Sequence, residues 1–160
     1  MADSLTSEHR SWNMSRIKGQ NTTPERQLRS LMHRAGFRFR LHVKGLPGRP
    51  DIVLPKYRSV IFVHGCFWHQ HPGCKNATMP STRREFWAKK LNGNVCRDQR
   101  NRALLEAIGW TVLTVWECEI EANSGLVMDR LATIKLRSEP PAASSVCDRS
   151  NRGEGYSAEY

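Results

Sequence analysis

Three potential metal ligands stand within nine positions of the chain: Cys66, His71 and Cys74. Thiolate sulfur and imidazole nitrogen are the donors that zinc prefers, usually in a tetrahedral set of four. Cys118 directly follows a predicted strand and can supply the fourth donor. The spacing therefore predicts a zinc-bound loop held against the end of a strand. The alternative is that these are ordinary cysteines beside a surface histidine.

A second group of residues combines a carboxylate with imidazoles. Asp51 follows Pro50 at the start of a short predicted strand, and histidines stand close together at positions 64, 69 and 71. Mg²⁺ takes oxygen ligands and keeps several waters, so one carboxylate and phosphate oxygens can hold it. A neutral imidazole can deprotonate an attacking water. These residue types indicate a metal-dependent nuclease site; a turn-forming Asp51 and hydrogen-bonding surface histidines are the alternative.

Two pairs of neighbouring aromatic residues accompany these groups. Phe67 and Trp68 lie inside the predicted zinc loop, and Phe86 and Trp87 lie on the helix that follows it. Adjacent aromatic rings on a basic surface can stack on unpaired bases or wedge into a base step. The alternative is burial in the core at helical positions, which the sequence favours for Phe86.

The charge of the chain is unevenly distributed. Residues 1–100 hold 19 basic and 6 acidic side chains and carry +13, whereas residues 101–160 carry −3. A basic surface of this kind indicates nucleic acid or an anionic membrane as the partner. No apolar run approaches the roughly 18–20 residues that span a bilayer, and the N-terminus has no apolar signal core. We therefore expect a cytoplasmic chain without membrane contact.

The five cysteines are an odd number in a chain of this expected location. The cytosol keeps thiols reduced, so no disulfide framework is predicted. Outside the zinc pattern, the sequence favours burial on a helix for Cys96 and a free thiol in the tail for Cys147.

Periodicity predicts the elements that must position these groups. Thr22 and Glu25 form a capping-box pattern with Pro24 in the first helical turn, and Gly36 ends the helix. Alternating apolar and polar residues predict a half-buried strand over 37–44. The other predicted elements are strands over 51–54, 60–63 and 111–116, the last two buried, an irregular loop from His64 to Pro80, and helices over 82–91, 94–108 and 120–137.

This order of elements implies one mixed α/β sheet with helices on its faces. Residues 1–21 are polar and lack periodicity, which predicts a flexible arm that contacts the ligand. Residues 22–137 form the predicted folded domain. From residue 138 the composition shifts to Ser, Pro, Gly, Asn and charges, as in a disordered tail over 138–160.

Six short motifs between about residues 9 and 122 carry a resemblance to a known family. They are Asn13-Met14-Ser15, Leu46-Pro47-Gly48-Arg49-Pro50-Asp51, Val63-His64-Gly65-Cys66-Phe67-Trp68-His69, Glu85-Phe86-Trp87, Asn94 to Arg100 and Val115-Trp116-Glu117-Cys118. Together they resemble the very-short-patch repair (Vsr) DNA mismatch endonucleases.

The resemblance implies a restriction-endonuclease-like fold, a mixed central sheet flanked by helices with a structural zinc loop. It implies a Mg²⁺-dependent endonuclease that nicks double-stranded DNA 5′ to the thymine of a T:G mismatch. Such mismatches arise when 5-methylcytosine deaminates, and the nick initiates very-short-patch repair. The implied partner is mismatched double-stranded DNA bound by a monomer, with other mismatch-repair proteins as further partners. The implied location is the nucleoid of a bacterial cytoplasm.

The resemblance also implies a role for individual residues, position by position. The implied catalytic group is Asp51 as Mg²⁺ ligand, His69 as general base, Glu25 and His64 beside the metal-bound waters, and Asp98 as a polar residue that orients His69. The main-chain carbonyl of Val63 would also contribute to the magnesium site. The implied zinc ligands are Cys66, His71, Cys74 and Cys118.

The implied DNA contacts come from three parts of the chain. They are the wedging aromatics Phe67, Trp68 and Trp87, the arm residue Met14, which enters from the opposite groove, and Lys90 and Asn94, which touch the mismatched pair. The chain departs from some members in having both Pro72 and Gly73 between His71 and Cys74. It departs from the wider restriction nucleases in lacking the lysine of an acidic-x-Lys pattern, which fits histidine as the base.

Other interpretations of these residues stay open from sequence. Glu25 could act only as a helix-cap partner, and Lys90 could be a solvated helix charge. A non-catalytic, zinc-stapled DNA-binding module is the main alternative function. A Mg²⁺ nuclease directed at another lesion or at a fixed sequence is the second.

Overall fold

The computed structural model describes residue 6, residues 8–9, 12 and 15, and every residue from 19 to 138. The predicted DNA contact Met14 and the predicted tail thiol Cys147 lie outside the described residues. Glu8, His9, Trp12 and Ser15 are helical, where the sequence predicts no regular element. No helix within the described part of the chain is long and apolar enough to cross a bilayer.

One mixed four-stranded sheet forms the centre of residues 19–138, with strands in the order β1-β2-β3-β4. The elements are α1 (Thr23–Arg34), β1 (Arg40–Leu41), β2 (Ile52–Leu54), a short 3₁₀ helix (Pro55–Tyr57), β3 (Ser59–His64), α2 (Arg84–Ala107), β4 (Thr111–Trp116) and α3 (Glu117–Ser138). Strand β2 pairs antiparallel with β1 and β3, and β3 pairs parallel with β4. The predicted mixed sheet with flanking helices is confirmed.

The core is divided between the two faces of this sheet. Helices α1 and α3 pack on one face against Ile52, Leu54 and Ile61, while α2 contributes Leu105 to the other face. Val53 points toward Leu105 because neighbouring side chains on a strand leave opposite faces. Helices on both faces leave the strand ends as the place where polar groups can gather.

Helix α1 begins and ends as its sequence predicts. The Thr22 hydroxyl accepts from the backbone N–H of Glu25, and the Glu25 carboxylate accepts from the backbone N–H of Thr22, which completes the capping box. Gly36 follows the helix with φ +80°, a conformation that favours glycine.

The strand predicted over 37–44 is wrong in extent, because only Arg40–Leu41 pairs with the sheet. Phe37 is buried and Phe39 is partly buried, but Leu41 is 40% exposed, so the alternation matches burial only over its first two apolar positions. His42 then adopts φ +46°, which is incompatible with a continuing strand. Phe37 and Phe39 are therefore core residues that lie before the paired part of the strand.

The two helices predicted over 82–91 and 94–108 are one helix, α2. Gly93 lies inside it, at a cost of roughly 0.5–1 kcal/mol relative to alanine. Leu91 and Leu105 are both fully buried and anchor the helix on either side of that glycine. Burial of these two leucines therefore keeps the helix continuous despite the low helix propensity of Gly93.

Two burial predictions on α2 are also wrong. Phe86 is 46% exposed, although its helical position favours the core, and Cys96 is exposed. Both side chains lie on the solvent-facing side of a helix whose buried face is set by Leu91 and Leu105. The irregular loop predicted between His64 and Pro80 has no helix or strand, as expected.

Strand β4 lies at an edge of the sheet, which corrects the prediction of a buried strand. Its outward backbone groups are bound by side chains. The carbonyl of Val112 accepts from Arg102 Nη2 at 3.3 Å, and the carbonyl of Thr114 accepts from Arg130 Nη2 at 2.8 Å. The N–H of Trp116 donates to Glu119 Oε2 at 2.9 Å. Side chains from both neighbouring helices therefore satisfy an open strand edge.

A glycine turn sets the position of the carboxylate that opens β2. Gly48 has φ +72°, and a Cβ placed on it would lie 2.8 Å from Asn101 Nδ2 on α2. The chain thus approaches α2 closely three residues before Asp51. Only glycine satisfies both the backbone angle and the close contact.

We predict that Gly48→Ala destabilises the fold by about 1–3 kcal/mol, because it adds a steric clash to backbone strain. Gly45→Ala is the matched control, since Gly45 also has positive φ (+93°) but a Cβ placed on it would have nothing within 4 Å. Urea unfolding of both variants measures the difference. Equal losses in the two variants would show that the contact with Asn101 contributes nothing.

Candidate active site and metal cluster

A groove of about 1130 Å³ opens where β3 and β4 end and β2 begins. Because β2 runs antiparallel to β3, the residue before β2 lies beside the last residues of β3. The groove is lined by five of the residues assigned to catalysis by resemblance: Glu25, Asp51, His64, His69 and Asp98. The structure therefore brings together side chains that are separated by up to 73 positions in the sequence.

Asp51 is held at the floor of the groove by the neighbouring strand. Its Oδ2 accepts a hydrogen bond from the backbone N–H of Val63 at 2.8 Å, which engages one of its two oxygens. Burial, opposed by that hydrogen bond and aided by the charge of Glu25, raises the pKa of Asp51 to about 6. A cation bound here would relieve the cost of this buried charge, so the carboxylate fits a magnesium ligand.

Glu25 contacts more than the helix cap. It is 3% exposed, and its Oε2 accepts from Arg29 Nη2 at 2.6 Å. The same Nη2 lies 3.2 Å from His42 Nε2, and Arg29 Nη1 donates to Asn21 at 2.6 Å. Arg29 was not predicted from the sequence, although its position four residues after Glu25 on a helix is the spacing of an ion pair.

His69 and Asp98 form the shortest polar contact between the loop and α2. His69 Nδ1 lies 2.6 Å from Asp98 Oδ2. The carboxylate accepts a hydrogen bond from Nδ1–H, so the proton stays on Nδ1 and Nε2 carries the free lone pair. The geometry fits a general base held in one tautomer.

His64 stacks on His69 with the ring centroids 3.8 Å apart and the planes 11° apart. Burial, together with the charge of a protonated His69, lowers the pKa of His64 to about 4, so His64 is neutral near pH 7. One nitrogen or oxygen each from His64, His69 and Asp98 lies within 4.8 Å of the others. An imidazole binds metal in its ring plane, so two parallel rings do not converge on one ion without tilting.

Cys66, His71, Cys74 and Cys118 form a second cluster, with one donor atom from each lying within 4.8 Å of the others. His71 Nδ1 lies 3.5 Å from Cys66 Sγ and 3.3 Å from Cys118 Sγ. Burial raises the pKa of the Cys66 thiol to about 12, so an ion would have to displace a tightly held proton. Three sulfurs and one imidazole nitrogen are a donor set that fits zinc.

Two residues beside this cluster were not predicted from the sequence as functional candidates. Glu117 Oε1 accepts from the backbone N–H of Cys66 at 2.7 Å, which ties the loop to the start of α3. The Trp116 ring stacks on His71 at 4.1 Å with an interplanar angle of 8°. Both residues directly precede Cys118 in the motif Val115-Trp116-Glu117-Cys118, from which only the cysteine was taken as a site residue. Their place in that motif could have identified them.

The predicted wedge residues form one aromatic cluster beside the groove. Phe67 contacts Trp68 with centroids 5.1 Å apart and Trp87 with centroids 5.6 Å apart. Lys90 Nζ lies 5.6 Å from the centre of the Trp68 ring, and Asn94 Nδ2 donates to the carbonyl of Trp68 at 3.0 Å. Lys90 and Asn94 thus hold the wedge cluster in place, and their contacts to DNA stay a prediction.

The chain is similar to known proteins over most of its length. The family model described as DNA mismatch endonuclease Vsr matches residues 2–76. The chain is 48% identical over 134 residues to type II nicking enzyme V.XorIIP of Xanthomonas oryzae pv. oryzae, covering 84% of this chain and 97% of that one. It is 45% identical over 131 residues to DNA mismatch endonuclease Vsr of Escherichia coli K12, covering 82% and 83%.

A solved structure shares the fold. The catalytic domain of the homing endonuclease I-Bth0305I superposes with a TM-score of 0.51 over 75% of this chain and 100% of that one, at 21% identity. This likeness supports the endonuclease-type mixed sheet. Because V.XorIIP and the Escherichia coli Vsr endonuclease are 48% and 45% identical to it over more than four fifths of each protein, the chain belongs to the Vsr DNA mismatch endonuclease family.

Proposed function

We propose that this protein nicks double-stranded DNA on the 5′ side of the thymine in a T:G mismatch left by deamination of 5-methylcytosine, and so initiates very-short-patch repair. The observation that carries the proposal is the His69–Asp98 pair, 2.6 Å apart, in the same groove as the partly buried carboxylate of Asp51. A protein that only binds DNA needs neither group. Membership of a mismatch endonuclease family supports the choice of substrate.

His69 is the proposed general base of the reaction. Asp98 accepts a hydrogen bond from the Nδ1–H of His69. The Nε2 atom of His69 can therefore take a proton from the attacking water. The water oxygen bonds to phosphorus while the bond to the 3′ oxygen breaks, which leaves a 5′ phosphate and a 3′ hydroxyl. His64 stacks behind His69 and limits the rotation of its ring.

Asp51 and the Val63 carbonyl are the proposed magnesium ligands, with Glu25 beside the metal-bound waters. A magnesium ion held by these residues would supply Lewis-acid stabilisation of the phosphate charge and of the leaving oxygen. Glu25 is fixed by Arg29, so its carboxylate keeps one orientation toward the groove. Cys66, His71, Cys74 and Cys118 would hold a structural zinc.

DNA recognition is proposed to depend on charge and on deformation of the duplex. The net charge of +13 on residues 1–100 favours contacts to phosphates, which steepen the salt dependence of binding. Phe67, Trp68 and Trp87 would enter a base step at a cost of a few kcal/mol. The cost is smaller at a mismatch, so deformability contributes to selection of the lesion.

The division into an arm, a nuclease domain and a tail stays a prediction. Most of residues 1–18 and all of 139–160 lie outside the described residues. We propose that the arm, through Met14, reaches the groove of DNA opposite the wedge. We also propose a monomer that acts on DNA in the bacterial nucleoid, with other mismatch-repair proteins as partners.

The central test is strand nicking with Mg²⁺ on T:G, other mismatched and fully paired duplexes of one sequence. Asp51→Asn should lower the nicking rate on the T:G duplex by on the order of a thousand-fold, because it removes the metal ligand. Binding of the duplex should stay nearly intact. Asp129→Asn, at an exposed site on α3, is the matched control.

Unchanged nicking by Asp51→Asn would remove the proposed catalytic centre, and no nicking by the unaltered chain would favour the DNA-binding module. Equal rates on T:G and paired duplexes would favour a nuclease with another target.

The raised pKa of Asp51 predicts how nicking depends on pH and Mg²⁺. At limiting Mg²⁺ the rate should fall as the pH drops through about 6, because protonated Asp51 cannot ligate a cation. Raising the Mg²⁺ concentration should move this midpoint to lower pH, since the ion and the proton compete for one carboxylate. Rates from pH 5 to 8 at several Mg²⁺ concentrations measure this, with duplex affinity as the control. A midpoint independent of Mg²⁺ would contradict the assignment.

Metal analysis tests the thiol cluster. We expect about one zinc per chain, retained when Mg²⁺ is removed. Cys74→Ser should lower the zinc content and the melting temperature, because it removes one of four donors. Cys96→Ser is the matched control, since Cys96 is exposed and outside the cluster. Equal zinc in the two variants would exclude Cys74 as a ligand.

A further inference from the structure

An uninterrupted series of ring contacts connects the thiol cluster to the proposed general base. His71, in the cluster, stacks on Trp116 at 4.1 Å, and Trp116 meets His64 edge to face at 5.3 Å. His64 stacks on His69 at 3.8 Å, and His69 contacts Asp98. We call the four rings of His71, Trp116, His64 and His69 the ring column.

The sheet explains why Trp116 stands at the centre of this column. Trp116 and His64 are the last residues of β4 and β3 and are direct partners in the parallel register. Partners in a sheet project from the same face, so the two rings meet. The backbone of Trp116 is fixed in turn by its hydrogen bond to Glu119.

We propose that Trp116 is a positioning residue, which transmits the placement of the metal-cluster loop to the His64–His69 pair and so sets the orientation of the base. The inference rests on the proposed function, because it assigns Trp116 a part in that reaction. The loop from residue 65 to 83 has no helix or strand, so His69 needs support from outside the loop. Asp98 fixes one edge of its ring, and the column supports its face.

A positioning role predicts a specific pattern of effects. Trp116→Leu removes both ring contacts while keeping an apolar side chain of moderate size. The nicking rate at saturating enzyme should fall by about 10- to 100-fold, the effect expected when a catalytic group moves by about 1 Å. Zinc content and affinity for the T:G duplex should stay within about two-fold of the unaltered chain, because neither depends directly on the indole. Trp116→Phe should restore most of the rate.

Trp110→Leu is the matched control. Trp110 directly precedes β4 and packs with Val60 and Val112 on the same face of the sheet as Trp116, but at the opposite end of β4, and it belongs to none of the ring contacts of the column. Its loss should reduce stability and leave the rate at saturation unchanged. The same nicking loss in Trp110→Leu and Trp116→Leu would overturn the proposal.

A second readout does not require activity. The imidazole nitrogen NMR signals of His64 and His69 should move in Trp116→Leu and stay in place in Trp110→Leu. If neither variant nicks because the unaltered chain does not, the proposed function fails, while these signals still decide whether the column exists. Unmoved His64 and His69 signals in Trp116→Leu would overturn the proposal.

His71→Cys removes the ring at the other end of the column. It provides a second test if Trp116→Leu does not fold. Four cysteines can hold zinc, so the ion should remain while the ring on Trp116 is lost. We expect unchanged zinc content with displaced His64 and His69 signals. Zinc retained with both signals unchanged would show that the loop and the base are independent.

Discussion

Residues 65–83 join β3 to α2 without a helix or strand, and Cys66 is the one fully buried residue among these nineteen. Such a segment has almost no apolar burial of its own to offset the entropy of ordering it. It is held instead by the cluster with Cys118, by the hydrogen bond from Cys66 to Glu117, and by the contacts of His69 with Asp98 and of Trp68 with Asn94. A zinc ion on such a cluster would contribute roughly 10–16 kcal/mol of apparent folding free energy. Because the loop carries Phe67, Trp68 and His69, both wedge and base depend on that constraint.

The rest of the site is placed by two contacts of a single helix. Asp98 on α2 binds His69 of the loop, and Asn101, three residues further along α2, packs against Gly48. Gly48 in turn stands three residues before Asp51. The rigid helix thus sets the distance between base and carboxylate, although neither belongs to it. Sites held by regular elements keep their geometry better than sites held by loops alone.

The sequence predicted correctly those features that depend on the residues of one short segment. The capping box of Thr22 and Glu25, the bounds of β4 and the clustering of Cys66, His71 and Cys74 are of this kind. The extent of β1 could not be predicted, because an alternating pattern does not tell whether the backbone pairs, and its apolar Leu41 is exposed. The positive φ of His42 leaves no trace in that pattern.

Other features depend on contacts between distant segments. Helical spacing gives the relation among the side chains of α2, but only the packing of Leu91 and Leu105 shows that Phe86 faces solvent. The bond between Asp51 and the N–H of Val63 needs the register of β2 and β3, and the place of Trp116 needs that of β3 and β4. Sequence motifs therefore identify the candidate residues, whereas the strand register determines which of them lie together.

The side chains bound to the open edge of β4 hinder the pairing of another strand with that edge. An incoming strand, from another copy or from a partially unfolded chain, would have to displace Arg102 and Arg130 from the carbonyls of Val112 and Thr114. Each displaced guanidinium would also lose its carboxylate partner, Glu106 or Glu119, or drag it along. Addition of another strand beside β4 is therefore disfavoured.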